Sequence, residues 1–473
     1  MTDFDLIVLG AGPAGINAAL AASGAGLSVA IVDENGAAGG QVYRAPAVFD
    51  ASDDSPEATA GHALRAALDK SAVKTYFGYS AWAVTADFQV DAVGPAGPIC
   101  IRSTALIVAA GTTERVVPFE GWTTPGVIGL AAATILLKSQ KVLPGKTTLV
   151  AGCGPLLAAV AAGILKAGGT VAGIADLASP ADWARATPAL LSRPDILRQG
   201  VKWALAIRRA RVPLHTRHTL VSVVPDGPQL RAVLAPCDSA GRPVAGAHKS
   251  LLVDCVTVGH GLTPSTDITR LLRAEHHYSR ASGGWVAKTD AYGLTSRERL
   301  YVVGDGAGIA GAAAAAHHGA LAGLACALFQ LPDRSAQLGA ALKTTQTLHA
   351  RSARFGRSMA RLMALRPGHV DSISPDTIVC RCEDVTRAEI DAACDAGARD
   401  VNQLKAWTRC GMGPCQGRTC GDVAAEIVAA HHHTARDQVG IFSARTPLRP
   451  LSVAALTGDF VYADIPIPKA APL

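Results

Sequence analysis

Short apolar runs that end in glycine, each followed by a small-residue helical stretch, set the rhythm of this chain. Asp5-Leu-Ile-Val-Leu-Gly10 has the continuous apolar character of a buried parallel strand. It runs into Gly10-Ala-Gly12-Pro13-Ala14-Gly15, an alanine-rich helix, and a second run, Val29-Ala-Ile-Val-Asp33-Glu34. That order predicts a βαβ unit with a dinucleotide fingerprint in its required setting. Gly10 permits a tight turn, Gly12 lets backbone N–H groups approach a pyrophosphate, and Gly15 lets helix and strand pack closely. The helix N-terminus favours the phosphate charge, and Asp33, 18 residues after Gly15, can accept from ribose hydroxyls.

The pattern recurs at Thr147-Thr-Leu-Val-Ala151, the turn Gly152-Cys-Gly154-Pro-Leu-Leu157, a helix to Lys166, and Thr170–Asp176. Leu157 replaces the third glycine, so this unit is either a retained scaffold with an altered site or a second site for an adenine nucleotide, NAD(P) or ATP. Two further strands end in glycine turns, Ala105–Ala110-Gly111 and Leu300–Gly304-Asp305, the latter before a small-residue helix over 310–325. Val258-Gly-His-Gly-Leu-Thr-Pro264-Ser-Thr lies between them. Four motifs in this order resemble flavin enzymes with two dinucleotide-binding domains. The resemblance implies FAD held by Gly10, Gly12, Pro13, Ala14, Gly15, Asp33, Glu34, Gly40, Gln41, Ala110, Gly111, Gly304 and Asp305, with Gly152 and Gly154 at the second nucleotide turn.

Near the C-terminus the pattern shortens and cysteine takes over. Six of the eleven cysteines fall between Cys380 and Cys420, including Cys380-Arg-Cys382 and Cys410-Gly-Met-Gly-Pro-Cys415. A C-x-C pair, 27 intervening residues and C-x4-C bring four thiolates from two loops. Four soft ligands suit an iron–sulfur cluster or zinc; zinc modules prefer C-x2-4-C knuckles, so this spacing favours iron–sulfur. The expected metal ligands are Cys380, Cys382, Cys410 and Cys415. Cys420, at a helix start, is either a spare thiol or a substitute ligand, and Cys394 reads as a core thiol. Thr386 and Glu389 have capping-box spacing, with Val385 and Ile390 as a hydrophobic staple, so a helix should run from there to Ala396 and stop at Gly397. A second helix should follow Cys420, from Asp422 to about Ala430.

The cysteine segment resembles the bacterioferritin-associated-ferredoxin-like [2Fe–2S] domain. With Gly39-Gly40-Gln41-Val-Tyr-Arg44, the whole chain is similar to the α (A) subunits of heteromeric FAD-dependent amino- and imino-acid dehydrogenases and oxidases. That group includes the A subunit of opine oxidase, the α subunit of D-hydroxyproline dehydrogenase and the B subunit of hydrogen cyanide synthase. The resemblance implies an electron-transfer subunit, beside a β subunit of the D-amino-acid-oxidase type that oxidises the C–N bond. It also allows a small γ subunit, an FMN at the subunit interface, a quinone or soluble carrier as acceptor, and peripheral membrane association.

The expected fold class is α/β. Two Rossmann-like domains, one inserted in the other, precede a small helical [2Fe–2S] domain. The FAD domain takes 1–125 and 260–330, the inserted domain 145–258, a helical linker 331–375, the cluster domain 376–435, and a tail 436–473. Apolar residues make up 49% and charged residues 17%, which suits close helix-on-sheet packing. A net charge of +6 without a Lys/Arg block argues against a nucleic-acid partner. No basic n-region opens the chain, and its longest apolar run, near Val127–Leu137, is shorter than a bilayer needs. The expected location is the cytoplasm, where clustered thiols bind metal rather than form disulfides.

Arg351, Arg354, Arg357 and Arg361 recur at helical spacing opposite Phe355, Met359 and Leu362, a solvated face over a packed one or else a docking surface for an acidic partner or a nucleotide phosphate. No histidine or carboxylate stands out as a substrate base; His317 and His318 read as a structural pair. A self-contained NAD(P)H-dependent flavin and iron–sulfur reductase is the competing function.

Overall fold

The computed structural model describes residues 2–47 and 55–457; the part of the expected tail beyond 457 lies outside the described residues. Its first sheet has seven strands. The parallel strands Thr2–Leu9, Val29–Asp33, Lys74–Phe77 and Leu300–Val302 join Gly97–Val108, whose early residues also pair antiparallel with Gln89–Gly94. In register, Leu9 faces both Val32 and Val108, and Val108 faces Val302. Three chain segments distant in sequence therefore end level at one sheet edge, the edge where α/β folds take their ligands.

Alanine and glycine explain how the helices stack there. Helix Pro13–Gly24 lies against Ala312–Gln330 so closely that a Cβ on Gly319 would stand 1.9 Å from the Ala14 carbonyl oxygen, and one on Gly323 2.3 Å from that of Ala18. Ala312–Gln330 has the length and apolarity of a membrane span, but half of it is buried inside the protein. The 28-residue helix Ser335–Leu362 packs on in turn, with Gly356 against the backbone of Ala310. Arg351, Arg354, Arg357 and Arg361 are exposed, while Met359 and Leu362 are buried.

A second, five-stranded sheet is built from Val127–Gly129, Thr147–Gly152, Thr170–Asp176, Leu214–Thr216 and Cys255–Gly259. An antiparallel meander, His218–Asp226, Gln229–Pro236 and Lys249–Val253, accompanies it. Thr112–Glu114 and Leu262–Pro264 pair antiparallel, carrying the chain out to this unit and back.

The cysteine segment folds around its own core. A hairpin of Ile378–Cys380 with Val385–Thr386 leads into helices Arg387–Asp395, Val401–Thr408 and Gly421–His431. Both halves of the Thr386–Glu389 capping box form, Val385 and Ile390 are buried, and Gly397 follows the helix with φ 112°. Cys394 is buried in that core, as its helical position implies.

Candidate functional site

At the first glycine turn the space is open. A Cβ on Gly12 would meet nothing nearer than the Gly40 Cα at 3.9 Å. Gly15, by contrast, is packed so tightly that a Cβ would sit 1.8 Å from the Gly10 carbonyl oxygen. Helix Pro13–Gly24 starts without a side-chain cap, so its first N–H groups are left for another acceptor. Asp33 is buried; its carboxylate accepts from Ala11 N at 2.5 Å and from Asn35 N and Nδ2, which fixes the turn's shape.

The other expected flavin residues gather around this turn. Gly40 covers Gly12, and a Cβ there would stand 2.7 Å from the Gly12 Cα. Gln41 is exposed and accepts from Arg44 Nη2 at 3.0 Å. Arg44 Nε is buried without a partner among the described residues, a free donor beside the Gly39–Gln41 loop. Gly304 contacts Ala14, Gly111 O accepts from Ser265 N, and Ala110 is exposed next to it. Asp305 accepts from Ala310 N and Gly311 N, both at 2.8 Å, while burial pushes its carboxyl upward against those two donors. Glu34 points to solvent with Arg449 3.8 Å away. His318 is buried, accepts from Gly304 N and stacks on His349, so it supports the turn. Open backbone, uncapped amides and a free buried guanidine donor fit a bound dinucleotide.

The second turn differs. A Cβ on Gly154 would fall 2.5 Å from Met363 Sδ, and Cys153 Sγ donates to the Leu362 carbonyl at 3.3 Å. Asp176, the acid at the end of the second strand, accepts from Trp183 Nε1 at 2.8 Å and Ala178 N at 2.9 Å. Gly152 is pressed on Gly259, and Leu157 is buried among Leu130, Ala133 and Val160. Of the two alternatives for Gly152 and Gly154, a retained scaffold or a second nucleotide site, these contacts favour the scaffold, with Met363 at the end of the long helix standing over Gly154.

In the cysteine module, Cys380, Cys410 and Cys420 bring their sulfurs within 4.8 Å of one another and are all buried. Cys410 and Cys420 donate toward Cys380, and with the Gly411 and Glu383 N–H groups they hold its thiol far below the ordinary range. Cys382 and Cys415 are partly exposed, and each perturbs the other's thiol. Three buried sulfurs thus converge from two loops and a helix start, and two of the expected ligands, Cys382 and Cys415, stand outside that group. The sequence offered Cys420 as a spare thiol or a substitute ligand, and the structure sets its sulfur beside those of Cys380 and Cys410.

Ion pairs hold this module against the flavin-side strands. Arg115, 4% exposed, donates from Nε to Asp422 at 2.8 Å and from Nη2 to the Gly283 carbonyl at 2.7 Å. Arg280 meets Glu426 at 2.6 Å, and Arg418 meets Asp267 at 2.7 Å. Breaking a buried pair from one side costs about 3–5 kcal/mol, so the seam holds one geometry. None of this was legible in the sequence, where these residues lie up to 307 positions apart.

The family profile for pyridine nucleotide-disulphide oxidoreductases matches residues 4–320, and the sarcosine oxidase A3 domain matches residues 374–459. The A subunit of opine oxidase from Agrobacterium tumefaciens is 36% identical, over 96% of this chain and 92% of its own. The chain belongs to the family of opine oxidase A subunits. It is an oxidoreductase on the pyridine nucleotide-disulphide oxidoreductase scaffold, whose fold implies FAD. Hydrogen cyanide synthase subunit HcnB of Pseudomonas aeruginosa is 31% identical, over 95% of this chain and 97% of its own. Among solved structures, L-proline dehydrogenase from P. horikoshii shares the fold, with a TM-score of 0.67 at 19% identity, covering 96% of this chain and 79% of that one. Family membership does not bring a redox disulfide with it: Cys100, Cys153, Cys237, Cys255 and Cys326 are all free thiols.

Proposed function

We propose that this chain is the electron-transfer subunit of a multi-subunit, FAD-dependent oxidase or dehydrogenase acting on an amino or imino acid of the opine, hydroxyproline, proline or glycine type. The observation that carries the reading is the join between an open dinucleotide turn and a converging cysteine set, held by Arg115, Arg280 and Arg418. The subunit names of the opine oxidase and HcnB relatives support a heteromeric assembly. Substrate oxidation belongs to a β subunit of the D-amino-acid-oxidase type, with a small γ subunit and an interfacial FMN as further components. The assembly is cytoplasmic, free or peripheral at the inner face of the cell membrane.

The residues' own work is binding and positioning. Gly12 and the uncapped helix start receive a pyrophosphate, Gly40 and Arg44 close over it, and Asp33 keeps the turn in shape. Cys380, Cys382, Cys410 and Cys415 would supply four thiolates, two for each iron of a [2Fe–2S] centre. Cys420, whose sulfur lies with those of Cys380 and Cys410, is placed to act as the substitute ligand. When bound, FAD and the cluster supply two-electron acceptance and one-electron transfer, respectively.

Anaerobically purified chain should contain FAD, iron and acid-labile sulfide, and show both visible spectra. Cys382→Ser and Cys410→Ser should each abolish cluster absorbance while FAD stays bound. Cluster spectra retained in both variants would refute the ligand set, and zinc without sulfide would replace the cluster with a structural metal.

A further inference from the structure

Between Cys380 and Cys420 two large apolar side chains stand exposed. Trp407 is 60% exposed and Met412 41% exposed. Met412 lies in the loop between Cys410 and Cys415, and Trp407 in the helix that leads into it. Met412 lines an open groove with Asn402, Ala406 and Ser443, Lys405 and Arg445 stand on its rim, and Trp407 follows Ala406 on the same helix.

The charges on this rim are unbalanced. Among the described residues neither Lys405 nor Arg445 has a carboxylate within ion-pair distance, whereas Arg409 nearby is paired with Glu383 at 2.8 Å. Burial and then the Arg445 charge lower the Lys405 ammonium's pKa, so the two cations feel each other. Like charges facing one groove are unfavourable until a counter-charge arrives.

One aromatic ring connects the groove to the cysteine loop. Lys405 lies 5.8 Å from the centre of the Phe442 ring. That ring in turn packs on Gly411, Gly417 and Gly421, where added Cβ atoms would come within 2.7, 2.5 and 3.1 Å of it. The Phe442 ring and the glycine backbone of the cysteine loop thus lie between the groove and the fully buried Cys410.

We propose that the surface around Trp407 and Met412, with Lys405 and Arg445 at its edge, docks an acidic one-electron-transfer protein that exchanges electrons with the cysteine-bound centre. The proposal rests on the electron-transfer reading given above. An exposed Trp and Met supply the apolar anchor that interfaces favour, and the unpaired cations supply orientation and rate. One electron leaves the reduced protein and reduces the partner's oxidised centre; no bond forms and no proton need move.

The test uses anaerobically reduced holoprotein and two high-potential acceptors, acidic plastocyanin and basic cytochrome c. Plastocyanin should be reduced faster at low salt, slowing about tenfold between roughly 20 and 300 mM salt. Lys405→Glu with Arg445→Glu should slow it about tenfold again, with cluster spectrum and rate to a small neutral quinone unchanged. Arg445→Glu alone, at an exposed site, guards against misfolding and should give about a threefold loss. Plastocyanin rates within about twofold of wild type in the double variant, or faster reduction of cytochrome c at low salt, would overturn the proposal. Zinc-substituted plastocyanin, which is redox-inert, measures docking separately through Trp407 fluorescence. Saturable binding that the charge reversals abolish, without transfer to the copper form, would keep the surface and sink the redox reading of the cysteines.

Discussion

The two glycine turns of this protein start from nearly the same strand–turn–helix grammar and end as opposite surfaces. At Gly10–Gly15 the third glycine brings helix and strand into contact, and the middle glycine has no side chain standing over it. At Gly152–Leu157 the third position carries a leucine that packs as core, and Met363 covers the middle glycine. The acids differ in the same sense. Asp33 braces the turn it belongs to, while Asp176 ties down Trp183, which packs with Met359, Leu362 and Met363. A dinucleotide turn is therefore a site only when the rest of the chain leaves it alone; otherwise it becomes a socket.

The strongest way to break this contrast is at the third position. Gly15→Val puts side-chain atoms into the Gly10 backbone, which cannot yield cheaply, so soluble folded protein should be lost, a destabilisation beyond about 4 kcal/mol. Leu157→Ala, at the matching place, collides with nothing and leaves a cavity; it should lower stability by about 2–5 kcal/mol with FAD content intact. A chemical-denaturation series with flavin quantitation checks both, and equal behaviour of the two variants would erase the distinction.

Between the turns, Glu114 accepts from Ala131 N near the strands that join the two units. Burial pushes its carboxyl up to about 7, against the lowering effect of the Ala131 and Leu130 N–H groups. The folded pKa lies above the unfolded one, so the folded state binds the extra proton. Stability should fall as pH rises from about 4.5 to 7, by roughly 2–3 kcal/mol, and level off above. Glu114→Gln should flatten this slope in melts across that range; an unchanged slope would exclude Glu114 as its source.

Smaller effects come from the acids. Asp33→Ala should weaken FAD binding by about 1–3 kcal/mol, read as flavin release on dilution. Asp176→Ala should lower stability by a similar amount, about 1–3 kcal/mol, and leave FAD retention unchanged, since it orphans Trp183 Nε1 instead. The smallest expected signal is none at all: NADH or NADPH added to FAD-loaded protein should neither bleach the flavin rapidly nor bind saturably. Rapid bleaching would revive the self-contained reductase.

Local chemistry made much of this protein readable in advance. The apolar run into Gly10–Gly15, the capping box at Thr386 and Glu389, and the C-x-C…C-x4-C spacing each act over a few residues, so the sequence alone determined the first turn, the cysteine module's helix starts and the gathering of thiols. Leu157 even hinted at an altered second turn. Tertiary structure alone decided that Met363, 209 positions from Gly154, would stand on that turn, that Cys420 would join the buried sulfurs, and that Arg115 would reach Asp422. Contacts of that kind depend on how whole sheets and helices come to rest against each other. No periodicity in the chain encodes them.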